Sequence, residues 1–597
     1  MDVNGFLYSQ VGYDIGDPIR AIIRGGSKGY VPEGATFEVV RLSGPGAGAT
    51  PEPAAAGDGD AAAAVRDAAD TEGDATAALP VGPVRYWGET WNAHWWEIDF
   101  SGIDEAGTYA IVVRAQGKEL LKSEPIEIDR HLLWRKTVVP VALDQMEARQ
   151  RLARNGIGWK DCGASWREAN SHATTVIALC DLVESGYDWL SARDVERTHG
   201  QILHGLAYLA RLQDATDLTG APDGAVIHEI PNHMDTIPGD TAKAVVAFTY
   251  GARVVADVHP EEAGEYLDRA TRAMDYLLLD AEPHTSDGFS HMTHGVEADF
   301  NVPNEFMTRD LVMMLWGCVE LYVAGQVRYK QHALRLAREI MERQVPEEKA
   351  EGGTNGDPKL WGHFTTFASS DLTEKSSCHN GFGHDTGGTF PHFLVPFAAM
   401  SRWWRDHPDV PKWQETMRRF VNGYLVPACS ANPFYLLPIG YFPGAGLMSF
   451  CGPWHGINTT FGFGAQLAAA LEGYASDENR ETMRQIVVGN LQWLCGLNAG
   501  ITRKSFEGCL VWKEEVPEGE AVPYSQIHGV GRRWVGNWTG IVGTIPNGFN
   551  VNPQFRFEVP ASREADEPLL YTDEDWIPHA AGFIAGLVAL RGKHRFE

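Results

Sequence analysis

Two carboxyl residues far apart in the chain have the chemistry of a general acid and its partner base. Glu574 lies in the run Asp573-Glu574-Asp575 just before an apolar helix, and Asp161 lies near the start of the helical region. Like charges beside a carboxyl raise its pKa, which an acid working near neutral pH requires. A carboxylate roughly 6.5–9.5 Å from that acid leaves room for a water molecule between the two. The acidic run also suits a plain structural role, as favourable charge at a helix N-terminus.

The elements that must position this pair are helices. From residue 131 onward, apolar periodicity predicts twelve helices whose connections alternate between short and long. Helical hairpins with short connections at one end place every long loop at the other end, so six hairpins in a closed ring predict an (α/α)6 barrel with a cleft among its long loops. In such a ring the last helix neighbours the first, which would bring Glu574 towards Asp161. The predicted helices cover residues 137–154, 170–185, 193–213, 240–257, 263–279, 305–325, 328–344, 389–405, 411–426, 459–475, 479–496 and 578–592.

The first 130 residues follow a different pattern. Short segments rich in β-branched and aromatic residues alternate with Gly and Pro, which predicts a β-sandwich. Between two of these segments, residues 44–83 are dominated by Ala, Gly, Asp and Glu, and such a composition predicts a disordered loop insertion. We therefore expect two domains, a β-sandwich over residues 1–130 and a helical barrel over residues 131–597.

Composition restricts the partners of the chain. With 597 residues and 44% hydrophobic content, the chain is large enough for more than one domain. Its net charge of −29 argues against nucleic acid as a partner, and no apolar run is long enough for a membrane span. The N-terminal residues lack a signal-peptide pattern, which predicts a cytoplasmic location unless a leader precedes them. The eight cysteines are dispersed, so we expect buried free thiols.

Several segments resemble glycoside hydrolase family 9, the cellulase and exo-glucosaminidase family. Ser9-Gln10-Val11-Gly12-Tyr13 is similar to the start of the immunoglobulin-like module that precedes the barrel in many members. Gly158-Trp159-Lys160-Asp161-Cys162-Gly163-Ala164 resembles the family's Gly-Trp-Tyr-Asp-Ala-Gly-Asp motif. Leu494-Cys495-Gly496-Leu497-Asn498 and Ile545-Pro546-Asn547-Gly548 resemble two later segments, and Glu574 with the helix after it resembles the block that holds the catalytic acid.

The resemblance implies a glycoside hydrolase that cleaves a β-linked oligosaccharide or polysaccharide with inversion. Glu574 would be the general acid and Asp161 would lie on the base side. The chain departs from the motif where the family's second aspartate is replaced by Ala164, which cannot activate water. Three explanations stay open: Asp161 acts alone, a carboxylate such as Glu168 or Asp385 substitutes, or the reaction is not simple hydrolysis.

Histidines and aromatic residues are dense in the predicted long loops. Zinc can bind such clusters, but no His-x-x-x-His pair has a third ligand at a suitable spacing, so we expect neither a metal nor another cofactor. Hydrogen bonds to sugar hydroxyls and stacking on sugar rings are the expected tasks, with loop packing as the structural alternative. The candidate substrate-binding residues are Trp159, His379, His384, Asp385, Trp454, His528, Arg532 and Arg533.

Arg532 and Arg533 suggest an acidic sugar, because arginine binds carboxylates with two parallel hydrogen bonds. The alternative to hydrolysis is therefore a polysaccharide lyase on the same architecture. In that reaction His379 or His384 would remove the proton next to a uronate carboxylate that arginine neutralises. A sugar-binding protein without activity is a third hypothesis.

Overall fold

The computed structural model of the chain describes residues 3–43, 79–163, 167–230, 234–283, 304–352, 358–365, 367–369, 394–438, 440–442, 446–450, 457–506, 516–550 and 570–591. It begins with a β domain that holds ten strands. These are β1 (Gly5–Leu7), β2 (Tyr13–Asp14), β3 (Arg20–Gly25), β4 (Thr36–Ser43), β5 (Val81–Pro83), β6 (Arg85–Thr90), β7 (Ala93–Asp99), β8 (Gly107–Ala115), β9 (Lys118–Lys122) and β10 (Ile126–Asp129).

The strands form two sheets around one apolar core. One sheet has the order β1-β3-β7-β6, and the other has the order β2-β10-β8-β4-β5 with β9 paired to β8. Alternate side chains point inwards, as the two-residue period of a strand requires. Ile23 and Trp96 from the first sheet pack with Val39, Ile111 and Ile128 from the second. The two sheets therefore bury a shared core, which is the arrangement of a sandwich.

The rest of the described chain is mainly helical. Its helices are α1 (Leu132–Val138), α2 (Gln145–Leu152), α3 (Ala169–Gly186), α4 (Ala192–Asp214), α5 (Thr216–Thr219), α6 (Pro238–Val255), α7 (Pro260–Leu279), α8 (Thr308–Val323), α9 (Tyr329–Glu342), α10 (Val395–Trp403), α11 (Val410–Phe420), α12 (Val426–Cys429), α13 (Ile457–Leu471), α14 (Arg480–Cys495) and α15 (Ile577–Arg591). A π-helical turn, Val139–Asp144, joins α1 to α2, and another, Val421–Leu425, joins α11 to α12. Three two-stranded ribbons lie between the helices: β11 (Glu351–Gly352) with β12 (Lys359–Leu360), β13 (Gly440–Phe442) with β14 (Gly446–Ser449), and β15 (Pro546–Asn550) with β16 (Leu570–Asp575).

The described helices differ in how much of their surface they bury. In α8 every residue from Thr308 to Leu321 is buried, whereas α9 buries only a stripe of residues from Tyr329 to Ile340. A helix that is apolar all round suits an inner layer, and an amphipathic helix suits an outer one. Each inner helix contacts the next and the last contacts the first, in the order α3, α6, α8, α10, α13, α15.

The long connections precede the inner helices, so the N-termini of these helices face the same end of the barrel. Each of the twelve predicted helical windows holds helix in the structure. One boundary in the β domain was wrong. The predicted disordered insertion ended at Pro83, but Val81–Pro83 is strand β5 and pairs with β4. Residues 44–78 of that insertion lie outside the described residues.

Ion pairs with two buried aspartates connect the β domain to the helical domain. Arg591, at the end of α15, donates a hydrogen bond of 2.8 Å from Nε to Asp14 and also pairs with Asp17. Arg484 of α14 reaches the same Asp17 at 2.6 Å. Both aspartates are almost fully buried. The last inner helix is therefore held at its far end by the β domain. Within the described part of the chain, no helix is long and apolar enough to cross a membrane.

Candidate active site

The first long loop and the last one meet at Asp161. The backbone amide of Ile577, the first residue of α15, donates a hydrogen bond of 3.0 Å to the Asp161 carbonyl. Beside it, the Cys162 thiol forms a hydrogen bond with the Glu574 carboxylate. Gly163 lies against the Trp538 ring, so closely that an added Cβ would approach that ring to 2.3 Å. The structure thus brings Asp161 and Glu574 together, as the closed ring of helices requires.

Glu574 lies on β16, whose partner strand supplies a second donor. Asn547 on β15 donates a hydrogen bond of 3.2 Å from Nδ2 to Glu574 Oε2. The carboxamide is held in turn by His579, whose Nε2 lies 2.7 Å from Asn547 Oδ1. Next in the strand, Gly548 has a φ of +88° and an added Cβ would lie 2.4 Å from Gln526 Oε1, so this irregular position of β15 needs glycine.

Burial raises the pKa of Glu574 above its usual range. The hydrogen bonds from Cys162 and Asn547 oppose that shift, while the negative charges of Asp575 and Asp573 add to it. The flanking aspartates therefore act in the predicted direction, but removal of the carboxyl from water is the larger cause. A carboxyl with a raised pKa can hold its proton at a pH where ordinary glutamates are ionised.

Asp575 has a different task from that of its neighbour. It is fully buried, and Arg149 of α2 lies 3.1 Å from its Oδ2. The same guanidinium donates hydrogen bonds of 2.9 Å and 3.0 Å to the carbonyls of Lys160 and Asp161. Thr539 also bonds the Asp575 carboxylate. Arg149 and Asp575 thus connect the first long loop to strand β16, next to the candidate acid.

A second carboxylate lies beside Asp161. The Glu168 amide donates a hydrogen bond of 3.0 Å to Asp161 Oδ2, and Ser171 donates one of 3.1 Å from Oγ to Glu168 Oε2. On the far side, His228 Nδ1 lies 2.6 Å from Asp240 Oδ2, and its Nε2 lies 3.9 Å from Glu168 Oε1. Glu168 and Ser171 lie at the N-terminus of α3, and Asp240 lies in the first turn of α6. Burial raises the pKa of Asp161, which favours the protonated form of that carboxyl.

Three of the predicted sugar-binding residues have other contacts in the structure. Trp159 is fully buried, stacks on His172 with ring centroids 5.2 Å apart, and donates a hydrogen bond of 2.8 Å to Gln201. It packs the base of the first long loop instead of lining a cleft. Arg533 pairs with Glu124 of the β domain through contacts of 2.5 Å and 2.6 Å, and Arg532 lies 3.2 Å from the same carboxylate. These two arginines join the helical domain to the β domain.

His528 is buried in the sixth long loop, where its Nδ1 lies 2.9 Å from the Val535 carbonyl and its ring meets Trp534 edge-on. The predicted residues His379, His384, Asp385 and Trp454, together with Ala164, lie outside the described residues. Among the residues that are described, no group of three or more His, Cys, Asp and Glu side chains could hold a metal ion. Five cysteines, Cys162, Cys180, Cys318, Cys429 and Cys495, are buried thiols outside any disulfide, as predicted.

Sequence reasoning missed four residues that build the site: Arg149, Asn547, Ser171 and Asp240. The sequence did draw attention to Asn547, because the residue lies in one of the segments that resemble the family. It did not indicate which role Asn547 has. Arg149 sits in a helix rich in charged residues, and nothing local distinguishes it from its exposed neighbours. Only the contacts between distant segments reveal these roles.

Comparison with known proteins agrees with this architecture. No family model matches the chain, and no curated protein matches its sequence. The solved structure of a thermostable endoglucanase from Alicyclobacillus acidocaldarius, a D468A single mutant, superposes with a TM-score of 0.59, covering 98% of this chain and 99% of that one. Their sequence identity is 15%. The fold is that of the family 9 endoglucanases.

Two further structures support this identification of the fold. A family 9 protein from Bacteroides ovatus matches with a TM-score of 0.60 at 11% identity, covering 98% of each chain. The family 9 endoglucanase J30 matches with a TM-score of 0.57 at 16% identity, covering 98% of this chain and 100% of that one. The family 9 fold therefore spans nearly the whole chain, with the β domain first and the helical barrel second. The predicted resemblance is confirmed at the level of the fold.

Proposed function

We propose that the chain is a glycoside hydrolase that cleaves β-linked glucan chains with inversion of the anomeric carbon. In this proposal the helices form an (α/α)6 barrel, the β domain is immunoglobulin-like, and the cleft lies among the long loops. Glu574 is the general acid and Asp161 lies on the base side. The similar solved structures of endoglucanases support the substrate class.

One observation carries the proposal. Glu574, with its raised pKa, is connected to the Asp161 loop by the Cys162 hydrogen bond and by the 3.0 Å bond from Ile577 to Asp161. An acid that keeps its proton and a second carboxyl group on the facing loop are the two groups that glycoside hydrolysis uses. The acid protonates the leaving oxygen, and the base side takes a proton from water.

The lyase alternative loses its main support. It required an arginine to neutralise a uronate carboxylate, and both candidate arginines pair with Glu124 of the β domain. Glu168 lies beside Asp161 and the charge of Glu229 also acts on it, and both would repel a uronate. The cation at this position, Arg149, is paired with Asp575. A neutral sugar chain fits the site better.

The test is a product analysis on cello-oligosaccharides, with barley β-glucan as a mixed-linkage substrate. We expect new reducing ends whose first-formed anomer is α, no unsaturated product, and loss of activity in Glu574→Gln. Asp573→Asn is the matched control, because it removes a neighbouring charge but leaves the acid. β-anomer release, unsaturated sugars, or full activity in Glu574→Gln would contradict the mechanism, and binding without turnover would indicate a sugar-binding protein.

A further inference from the structure

Asp161 is poorly placed to hold the attacking water. Its side chain is fully buried, and its Oδ2 is occupied by the Glu168 amide at 3.0 Å. Its Oδ1 has no hydrogen-bond partner among the described residues. A base must contact the water from which it takes a proton. A carboxyl that is fully buried and favours its protonated form is better suited to positioning a neighbouring residue than to accepting a proton from water.

The Glu168 side chain is slightly exposed and accepts hydrogen bonds that stabilise its ionised form. About 8% of its side-chain surface is exposed, in contrast to the closed Asp161. Its Oε2 accepts hydrogen bonds from Ser171 Oγ at 3.1 Å and from Asn170 Nδ2 at 3.4 Å. The residue stands directly before α3, where the helix dipole favours an anion. These donors and the helix end stabilise a negative charge on Glu168.

The other oxygen of Glu168 faces an oriented imidazole. His228 Nε2 lies 3.9 Å from Glu168 Oε1, while its Nδ1 is held by Asp240 Oδ2 at 2.6 Å. The His228 carbonyl accepts a hydrogen bond of 2.8 Å from the amide of Ala169, the residue after Glu168. The His228 ring is buried. Glu168 is therefore held by the Ser171 hydroxyl on its own helix, and the His228 ring lies at longer range from its other oxygen.

We propose that Glu168 is the residue that activates the attacking water, with Asp161, His228 and Asp240 as positioning residues behind it. This inference rests on the proposed hydrolysis. The water passes one proton to Glu168 while its oxygen bonds to the anomeric carbon. The glycosidic C–O bond breaks in the same step, and Glu574 gives its proton to the leaving oxygen. Glu168 would thus supply the carboxylate that is missing where alanine occupies position 164.

The experiment uses 2,4-dinitrophenyl β-cellobioside, whose leaving group needs no proton, with and without sodium azide. Glu168→Ala should lower kcat by about 1,000-fold, the size of a lost general base. Azide should restore turnover and give the α-configured cellobiosyl azide, because this anion fits the space of the deleted carboxylate and attacks without a base. Asp161→Ala should lose activity with no azide product, since the Asp161 side chain has no exposed surface.

Two controls separate catalysis from folding. Glu168→Gln keeps both acceptor contacts of Oε2, so we expect the wild-type unfolding temperature together with the loss of kcat. His228→Gln should lower kcat without changing KM and without azide rescue, as expected of a positioning residue. More than a tenth of wild-type activity in both Glu168 variants, or azide rescue in Asp161→Ala instead, would overturn the inference. If the wild-type chain leaves the glycoside intact, the proposed function fails; if it inverts and only the Glu168 result disagrees, this assignment alone fails.

Discussion

Asn547 donates a hydrogen bond of 3.2 Å to the carboxylate of Glu574. The bond joins two paired strands of the sixth long loop, and it stabilises the ionised form of the candidate acid. Its strength therefore helps to set the pH at which Glu574 loses the proton that it must donate.

Asn547→Ala should move the alkaline limb of the kcat/KM profile to higher pH. Removal of the donor leaves the ionised Glu574 less stabilised, so its pKa rises further and the protonated acid persists at higher pH. Cys162→Ala should move the same limb in the same direction, because the thiol is the other side-chain donor to Glu574. Asn479→Ala, on the outer layer near α14, is the control and should leave the profile unchanged. A shift to lower pH in either site variant would contradict the assignment of Glu574 as the acid.

Arg149→Ala should destabilise the protein by about 3–5 kcal/mol, as expected when one partner of a buried ion pair is removed. The change leaves Asp575 buried without its cation and frees the carbonyls of Lys160 and Asp161. Chemical unfolding in urea measures the loss. Arg480→Ala breaks an exposed pair with Asp477 and should cost no more than about 1 kcal/mol. Similar losses in the two variants would show that Arg149 does not act as a buried clamp.

Asp310→Asn should remove a pH-dependent loss of stability. Burial raises the pKa of Asp310 to about 6, although Arg309 lies 3.4 Å from its Oδ1 and opposes the shift. A carboxyl whose pKa is higher in the folded state stabilises the fold below its unfolded pKa, and that contribution falls as pH rises towards the folded value. The free energy of unfolding, measured between about pH 4 and pH 7, should therefore fall less in Asp310→Asn than in the wild type. Parallel curves for the two proteins would contradict the raised pKa.

Arg533→Ala should leave KM for neutral oligosaccharides unchanged and lower stability by about 1 kcal/mol, because its pair with Glu124 is only partly buried. Glu124→Gln is the reciprocal control and should give a similar loss. Steady-state kinetics and thermal unfolding distinguish the two roles. A large rise in KM with retained stability would show instead that Arg533 binds the substrate.

Much of the architecture could be predicted because it depends on local patterns. Apolar residues at helical spacing, such as Tyr329, Ala333, Leu336 and Ile340, predict a helix and the face that it buries. The alternation of short and long connections then predicted that the candidate site lies among the long loops. Val81 was misplaced for the opposite reason, since a short strand at the end of a low-complexity segment depends on its pairing with β4.

The sequence alone determined the order of domains, the helical periods and the two carboxyl residues with suitable chemistry, because these follow from neighbours along the chain. The tertiary structure decided what each polar side chain does. Arg533 meets a glutamate 409 residues away, and Arg149 meets an aspartate 426 residues away. Trp159 is enclosed by residues from two other helices. Burial, ion pairing and the resulting pKa of Glu574 depend on the distances between remote segments, and residue types do not contain those distances.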